Sequence, residues 1–104
     1  MKDKILTAVE DGVKAIEQLK EPRCLEFIDQ SSTMLAETFA NGGKILIAGN
    51  GGSLCDASHF AEELTGQFRE RRAGLPAIAL NDPGFITCTG NDMGFENVFA
   101  RGVA

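Results

Sequence analysis

A glycine-rich stretch at residues 49–52 runs directly into a segment that carries acid–base side chains. In "AGNGGSLCDASHFAEEL", residues 48–64, His59 and Glu63 stand four residues apart, which places both on one face of a helix about one turn beyond the glycines. An imidazole and a carboxylate on one face can supply two ligands to a divalent metal, although a zinc site needs at least one or two more. Beside a sugar, the same carboxylate could act as a general base on a carbon acid. A lone histidine near a helix is more often structural. The position of the pair close to the glycine loop is what favours a functional role.

The glycines themselves suit a ligand that approaches the main chain. Between a strand and a helix they allow a tight turn, and the N–H groups and positive dipole end of the helix attract phosphate or polyol oxygens. Ser53 and Asp56 have the S-x-x-D spacing of a capping box, so a turn with a cap and no ligand is the alternative. Open α/β sheets bind ligands at the carboxyl ends of their strands, where this loop would lie.

Two familiar phosphate loops fit this stretch poorly. The P-loop requires a Gly-Lys-Ser/Thr sequence, and no lysine follows these glycines. The dinucleotide fingerprint G-x-G-x-x-G begins at Gly49 and Gly51, but Leu54 occupies the third glycine position. Asp82 is a candidate ribose-binding acid, yet it lies 33 residues beyond Gly49, where the motif expects about 20. Dinucleotide binding is therefore only a weak alternative.

The pattern of apolar residues predicts the elements that must hold this site. Residues 1–20 carry a helical stripe, Pro22 interrupts it, and a second helix is expected to end near Ala40, before "NGGK". Residues 45–48 and "LPAIAL" at 75–80 are typical of buried strands, and a helix is expected between them over residues 53–67. A short helix near residues 84–90 and another within "GFENVFARGVA" follow. A strand–helix–strand unit with apolar strands predicts a parallel pair in an α/β sheet.

Two parallel strands do not complete such a sheet, which is normally covered on both faces. We therefore expect an incomplete domain, with residues 1–41 forming a helical hairpin and residues 42–104 the first part of an α/β domain. The hairpin has more apolar positions than one sheet edge can cover, which indicates an association face. They are Ile5, Leu6, Val9, Val13, Ile16, Leu25, Phe27, Ile28, Met34, Leu35 and Phe39.

Composition narrows the class of protein. Among 104 residues the net charge is −5, which argues against a nucleic-acid-binding surface. No apolar run approaches the length of a membrane span, and acidic residues fall where a signal peptide would be apolar. Three cysteines without C-x-x-C spacing argue against a disulfide framework and indicate reduced thiols in the cytoplasm. The arginines of "FRERRAG" are expected in a solvated loop, with anion binding as the alternative.

Three ordered motifs resemble a known family. "GNGGSLCDASHFAEELTGQF", "LPAIAL" and "TGNDMGFENVFARGV" are similar to the sugar isomerase (SIS) domain of bacterial phosphoheptose isomerases, and the resemblance covers nearly the whole chain. It implies an α/β, flavodoxin-like parallel sheet flanked by helices, and a domain that continues for roughly another 90 residues. A homotetramer built through the N-terminal helices, with active sites at subunit interfaces, is also implied.

The resemblance assigns roles to individual residues. His59 matches a zinc ligand, and Glu63 matches a residue that serves metal, substrate and catalysis. The positions that match substrate contacts are Asn50, Gly51, Gly52, Ser53, Glu63, Asn91 and Asp92. The family's serine-rich phosphate loop, a glutamine and a second metal-binding histidine come later than residue 104. Gln67 replaces an arginine usual in the family, and Leu54 replaces a polar or larger residue.

The implied function is isomerisation of sedoheptulose 7-phosphate to D-glycero-D-manno-heptose 7-phosphate through an enediol. That reaction opens the route to the ADP-heptose of lipopolysaccharide cores, and we expect residues 1–104 alone to be inactive. Two alternatives are a non-catalytic SIS protein that binds a partner such as a replication initiator, and a sugar-phosphate-sensing domain. His59 together with Glu63 discriminates between them, because a binding module does not require both.

Overall fold

A computed structural model describes all residues, 1–104, as seven main elements joined by short turns. The order is α1 (Lys2–Glu17), α2 (Pro22–Ala40), β1 (Ile45–Ile47), α3 (Gly52–Thr65), β2 (Ala77–Ala79), α4 (Pro83–Met93) and α5 (Val98–Val103). Short 3-10 turns, Gln18–Lys20 and Phe95–Asn97, follow α1 and precede α5. None of these helices combines the length and apolar character needed to cross a membrane. The expected order of helices and strands is confirmed.

Two compact units divide the chain, Met1–Glu37 and Thr38–Ala104, so the last turn of α2 belongs to the second unit. In the first unit, Pro22 begins α2, where its missing N–H would have no helical partner in any case. Neither α1 nor α2 contains a buried residue. Along the α1 stripe, Val9 is 57% exposed and Val13 53%, so neither helix has a fully buried apolar side chain.

The second unit is built on the pair β1 and β2, which run parallel as expected. Ile45 pairs with Ala77, and Ile47 pairs with Ala79. Ile45 N donates to Pro76 O at 2.9 Å, and Leu80 N donates to Ile47 O at 2.8 Å, so the ladder extends one residue beyond each end of β2. Because the strands are parallel, the residues that follow each of them lie at one edge of the sheet. The glycine loop follows β1 at this edge.

Small side chains allow α3 to pack closely on β2. Ala57 and Ala61, one helical turn apart on α3, are 3% and 7% exposed, and Ala77 on β2 is 6% exposed. His59 and Glu63 each lie two residues beyond one of these alanines, about 200° around the helix axis. The alanine face therefore fixes the rotation of α3 and turns the candidate acid–base pair away from the sheet.

The predicted capping box is wrong. The helix begins at Gly52, so Gly51, with φ of 56°, takes the N-cap position, and no side chain caps α3. Ser53 lies inside the first turn, where its N–H donates to Asn50 O at 3.1 Å. A side-chain cap does occur at α4, where Asp82 Oδ1 accepts from Phe85 N at 2.6 Å. Asp82, the candidate ribose-binding acid, is thus a helix cap.

Gly49→Ala should destabilise this unit, because the added Cβ would lie 2.5 Å from Ser53 C and 2.8 Å from Ser53 Cβ, in the first turn of α3. Overpacking of this kind costs about 1–3 kcal/mol. Gly52→Ala is the matched control, since a Cβ there has nothing within 4 Å. Urea unfolding followed by circular dichroism measures both free energies of unfolding. Equal stabilities of the two variants would contradict the close approach of the loop to the helix.

Candidate functional site

His59 and Glu63 form a direct pair on the outer face of α3. His59 Nε2 lies 3.2 Å from Glu63 Oε1, as the i, i+4 spacing indicates. The His59 side chain is 70% exposed, whereas that of Glu63 is 34% exposed. The imidazole is thus open to solvent and the carboxylate is partly shielded, which suits a base that must meet a bound molecule away from bulk water.

The pair lies farther from the glycine loop than the sequence analysis indicated. His59 and Glu63 are the eighth and twelfth residues of α3, about 10 Å and 16 Å along the helix axis from Gly52. The prediction that both lie one turn beyond the glycines was therefore wrong, since Glu63 is in the last turn of α3. The loop and Glu63 occupy opposite ends of one helix.

Glu63 borders two neighbouring hollows on the protein surface. One, of about 380 Å³, has a wall of apolar side chains and also meets Arg72; its apolar residues are Phe60, Leu64, Phe68 and Leu75. The other, of about 440 Å³, is lined by Asp56, His59, Phe60, Glu63 and Phe68. The carboxylate therefore stands between two recesses that share the Phe60 and Phe68 rings, an arrangement that can hold the carbon chain of a ligand beside a proton acceptor.

The two donor atoms are in hydrogen-bond contact, at a separation that is also compatible with ligation of one zinc ion. Two ligand atoms in tetrahedral zinc coordination, with bonds of about 2.0–2.1 Å, lie about 3.3 Å apart, and the observed separation of Nε2 and Oε1 is 3.2 Å. No group of three or more His, Cys, Asp or Glu side chains is placed to hold a metal ion. Residues 1–104 thus supply two suitable donors and not a complete coordination sphere.

The carboxyl edge of the sheet is tied to α3 by a polar contact that the sequence did not reveal. Asn81 Nδ2, directly beyond β2, donates to Ser58 Oγ at 2.9 Å, and Ser58 Oγ donates to Leu54 O at 3.0 Å. Asn81 and Ser58 are 23 residues apart in the chain, and no local spacing signals such a contact. It fixes α3 beside the glycine loop.

Asn91 and Asp92 form a third group at the end of α4. Asn91 Nδ2 donates to Asp92 Oδ1 at 2.9 Å, and the Cys88 thiol donates to Asp92 Oδ2 at 3.4 Å. This hydrogen bond, together with the negative charge of Asp92, raises the pKa of Cys88 above its ordinary value. No hydrogen bond joins this group to the glycine loop or to the His59–Glu63 pair.

Arg72 was assigned to a solvated loop, but the structure gives it a specific role. Its guanidinium donates to Glu63 O and Leu64 O at 2.8 Å, and to Ala73 O at 2.9 Å. Arg69 differs, since its guanidinium lies 4.8 Å from the centre of the Phe68 ring. The loop is exposed as expected, but Arg72 binds the last turn of α3, and only the folded chain places these groups together.

Comparison with known proteins identifies the family to which the chain belongs. The family model described as "SIS domain" matches residues 8–104. Phosphoheptose isomerase of Sodalis glossinidius (strain morsitans) is 53% identical over 83 residues, covering 80% of this chain and 43% of that protein. Phosphoheptose isomerase of Glaesserella parasuis serovar 5 (strain SH0165) is 56% identical over 77 residues, covering 74% of this chain and 40% of that protein.

Solved structures agree with the sequence matches. A phosphoheptose isomerase from Francisella tularensis superposes with a TM-score of 0.86 at 39% identity, covering 97% of this chain and 53% of that one. A phosphoheptose isomerase from Neisseria gonorrhoeae gives 0.82 at 34% identity, covering 98% and 52%. The α/β fold of the SIS type is thereby confirmed. The chain spans about half the length of the structures and two fifths of the curated relatives that it matches.

Asp92→Asn should lower the pKa of Cys88, because the neutral amide removes the negative charge that opposes thiolate formation. At about pH 8.5, near the ordinary thiol pKa, more thiolate will be present and Cys88 will be alkylated faster. Peptide mass spectrometry after timed iodoacetamide treatment measures the rate at each cysteine, with Cys24 and Cys55 as internal references. An unchanged or slower rate at Cys88 would contradict the contact.

Proposed function

This chain belongs to the SIS domain family, and on that premise we propose that it forms the N-terminal half of a phosphoheptose isomerase. The substrate would be sedoheptulose 7-phosphate and the product D-glycero-D-manno-heptose 7-phosphate. The observation that carries the proposal is the His59–Glu63 pair, whose atoms lie 3.2 Å apart beside an apolar recess, in a chain that relatives named phosphoheptose isomerase match at 53% and 56% identity.

Proton transfer is the chemistry that these side chains can perform. The Glu63 carboxylate removes the C1 proton beside the C2 carbonyl, and the carbonyl oxygen gains a proton to give the enediol. The protonated Glu63 then delivers its proton to C2 while the C1 hydroxyl gives up its own, which leaves the aldose. The amides and dipole at the start of α3, with Asn50, Gly51, Gly52 and Ser53, bind oxygens of the sugar phosphate. Asn91 and Asp92 supply hydrogen-bonding groups from the end of α4.

Zinc is part of this proposal. His59 and Glu63 would hold the ion, and their donor spacing supports that assignment. The remaining ligands would come from outside residues 1–104. When bound, the ion would stabilise negative charge on the enediolate oxygens or order the site.

Assembly follows from the distance between the two halves of the site. Because the glycine loop and Glu63 of one copy lie about 16 Å apart along α3, we place each active site at a subunit interface, where loop and base come from different copies. The exposed apolar stripe of α1 supports self-association, and the family resemblance favours a homotetramer. Such an enzyme would work in the cytoplasm on a precursor of lipopolysaccharide heptose.

Glu63→Gln in the full-length protein should abolish most proton transfer and leave substrate binding intact. The amide keeps the shape and hydrogen-bonding capacity of the side chain but is not basic. A loss of about 10²–10⁴-fold is expected, which is the usual contribution of a general base. The measurement is exchange of the C1 or C2 proton of sedoheptulose 7-phosphate with deuterated solvent, alongside the substrate Kd.

His59→Ala serves as the contrasting variant. It removes a ligand, so metal content should fall first and activity as a consequence. Metal analysis of both variants separates the two effects. Near-normal exchange in Glu63→Gln would remove Glu63 as the base and favour a sugar-binding or partner-binding SIS domain.

Val9→Glu should disrupt the assembly, because it buries an unpaired charge in the proposed α1 interface. Such a charge weakens association by about 100-fold or more. Thr7→Glu is the control, since Thr7 lies about 200° around the helix from Val9 and its exposed hydroxyl bonds only to Asp3 O. Sedimentation velocity of the full-length variants at micromolar concentration reports the mass. A monomeric wild-type protein, or a tetrameric Val9→Glu variant, would defeat the assignment of this face.

A further inference from the structure

We propose that Arg72 is a positioning residue that holds Glu63 in its catalytic orientation, an inference that rests on the proposed isomerase function. Arg72 follows α3 by seven residues and lies on an exposed loop, yet its side chain returns to the helix. It acts on Glu63 through the main chain of that residue, and it does not contact the carboxylate.

Three hydrogen bonds define the contact. Arg72 Nη2 donates to the carbonyl oxygen of Glu63 at 2.8 Å, and Nη1 donates to the carbonyl oxygens of Leu64 at 2.8 Å and Ala73 at 2.9 Å. The planar guanidinium can bind several oxygens at once because its donors have a fixed fork geometry. A single side chain thus joins the last turn of α3 to the segment that leads into β2.

The surrounding backbone shows how closely the returning segment meets the helix. Leu75 N donates to Leu64 O at 2.9 Å, so this carbonyl accepts from both the backbone and Arg72. Gly74 lies directly against Thr65 O, and any added Cβ would meet that oxygen. These contacts hold the returning segment against the end of α3, with the Arg72 side chain across it.

Helix ends need such support. The last carbonyls of a helix have no partner within it, and terminal turns fray when those carbonyls are left to water. A cation at this end also opposes the negative end of the helix dipole. Glu63 is in that last turn, so loosening the turn would move the Cα of Glu63 and with it the carboxylate that faces His59.

The neighbouring arginines do not make the contact with α3, so positive charge in this loop does not by itself explain it. Arg69 lies over the Phe68 ring, and Arg71 has no hydrogen bond or ion pair. Substitution of the adjacent Arg71 is therefore a matched control, because it removes an equal charge one position away and no contact with α3. Arg72→Lys keeps the charge but replaces the fork with a single ammonium group.

The test uses the full-length protein with Arg72→Gln, Arg72→Lys and Arg71→Gln. Displacing a reacting group by about 1 Å can cost about 100-fold in rate, so Arg72→Gln should lower kcat about 10- to 100-fold while KM stays within about threefold. Arg72→Lys should recover part of kcat, and Arg71→Gln should match wild type. A role in folding alone would lower the folded fraction, measured by circular dichroism, and leave kcat per folded molecule unchanged.

A double-mutant cycle identifies Glu63 as the residue through which Arg72 acts. In the Glu63→Gln background, Arg72→Gln should cause no further loss of solvent exchange at C1 or C2, because positioning no longer matters without the base. Equal losses in both backgrounds, or a kcat for Arg72→Gln equal to that of Arg71→Gln, would overturn the proposal. If Arg72→Gln does not fold, Arg72→Lys provides the same comparison.

A measurement independent of turnover separates this proposal from the proposed function. The imidazole nitrogen resonances of His59 report its contact with Glu63, and they should shift in Arg72→Gln but not in Arg71→Gln. A wild-type protein that neither isomerises nor exchanges sedoheptulose 7-phosphate would overturn the isomerase function, while the shift would still support the positioning of Glu63 by Arg72. Unshifted His59 resonances in Arg72→Gln would overturn that positioning whatever the activity.

Discussion

The packing of α3 on β2 through alanine side chains is the constraint on which the rest of the second unit depends. Ala57, Ala61 and Ala77 are nearly inaccessible to water, and their small side chains let the helix axis come close to the sheet. Apolar burial is non-directional, but a one-sided row of small residues makes it directional, because only one rotation of α3 brings that row to the sheet. The outward direction of His59 and Glu63 is a consequence of this rotation.

Polar contacts then fix the middle and the C-terminal end of α3, where burial alone would leave the helix free to shift. In its middle, the Asn81–Ser58 hydrogen bond joins the helix to the carboxyl edge of the sheet. At its end, Arg72 and the backbone of Leu75 bind the last carbonyls. Arg72 and Leu75 lie on the connection that precedes β2, and Asn81 lies on the one that follows it. The strand and its two flanking loops therefore hold the helix at three places.

The arrangement of the candidate site follows from this helix. The glycine loop and Glu63 lie at opposite ends of α3, so one chain presents the two groups of candidate site residues about 16 Å apart along the helix. The superposition on phosphoheptose isomerases covers 97% and 98% of the chain, so the backbone framework that carries these residues is shared with those structures. The proposed assembly would use the exposed apolar residues of α1 and α2 to bring the glycine loop and Glu63 of different copies together.

The sequence by itself determined the order of the elements, the parallel pair and the i, i+4 partnership of His59 and Glu63. These features depend on local periodicity, on Gly and Pro positions and on the fixed rise of a helix, all of which are read along the chain. The family motifs also identify the SIS domain from the sequence alone. The first residue of α3 was harder to predict from the sequence, because a helix start can shift by one residue when a glycine takes the N-cap position. The capping box predicted at Ser53 was wrong for that reason.

Only the tertiary structure decided the contacts between residues distant in the chain. It placed Asn81 on Ser58, 23 residues away, and brought Arg72 back to the carbonyls of Glu63 and Leu64. It also showed that Asp82 caps the start of α4, and it set the distance between the glycine loop and Glu63. Such contacts depend on how the loops fold back on the packed α3–β2 unit. Local spacing does not reveal that the Arg72 side chain folds back onto α3, because the same loop residues would be equally well solvated if they pointed outward.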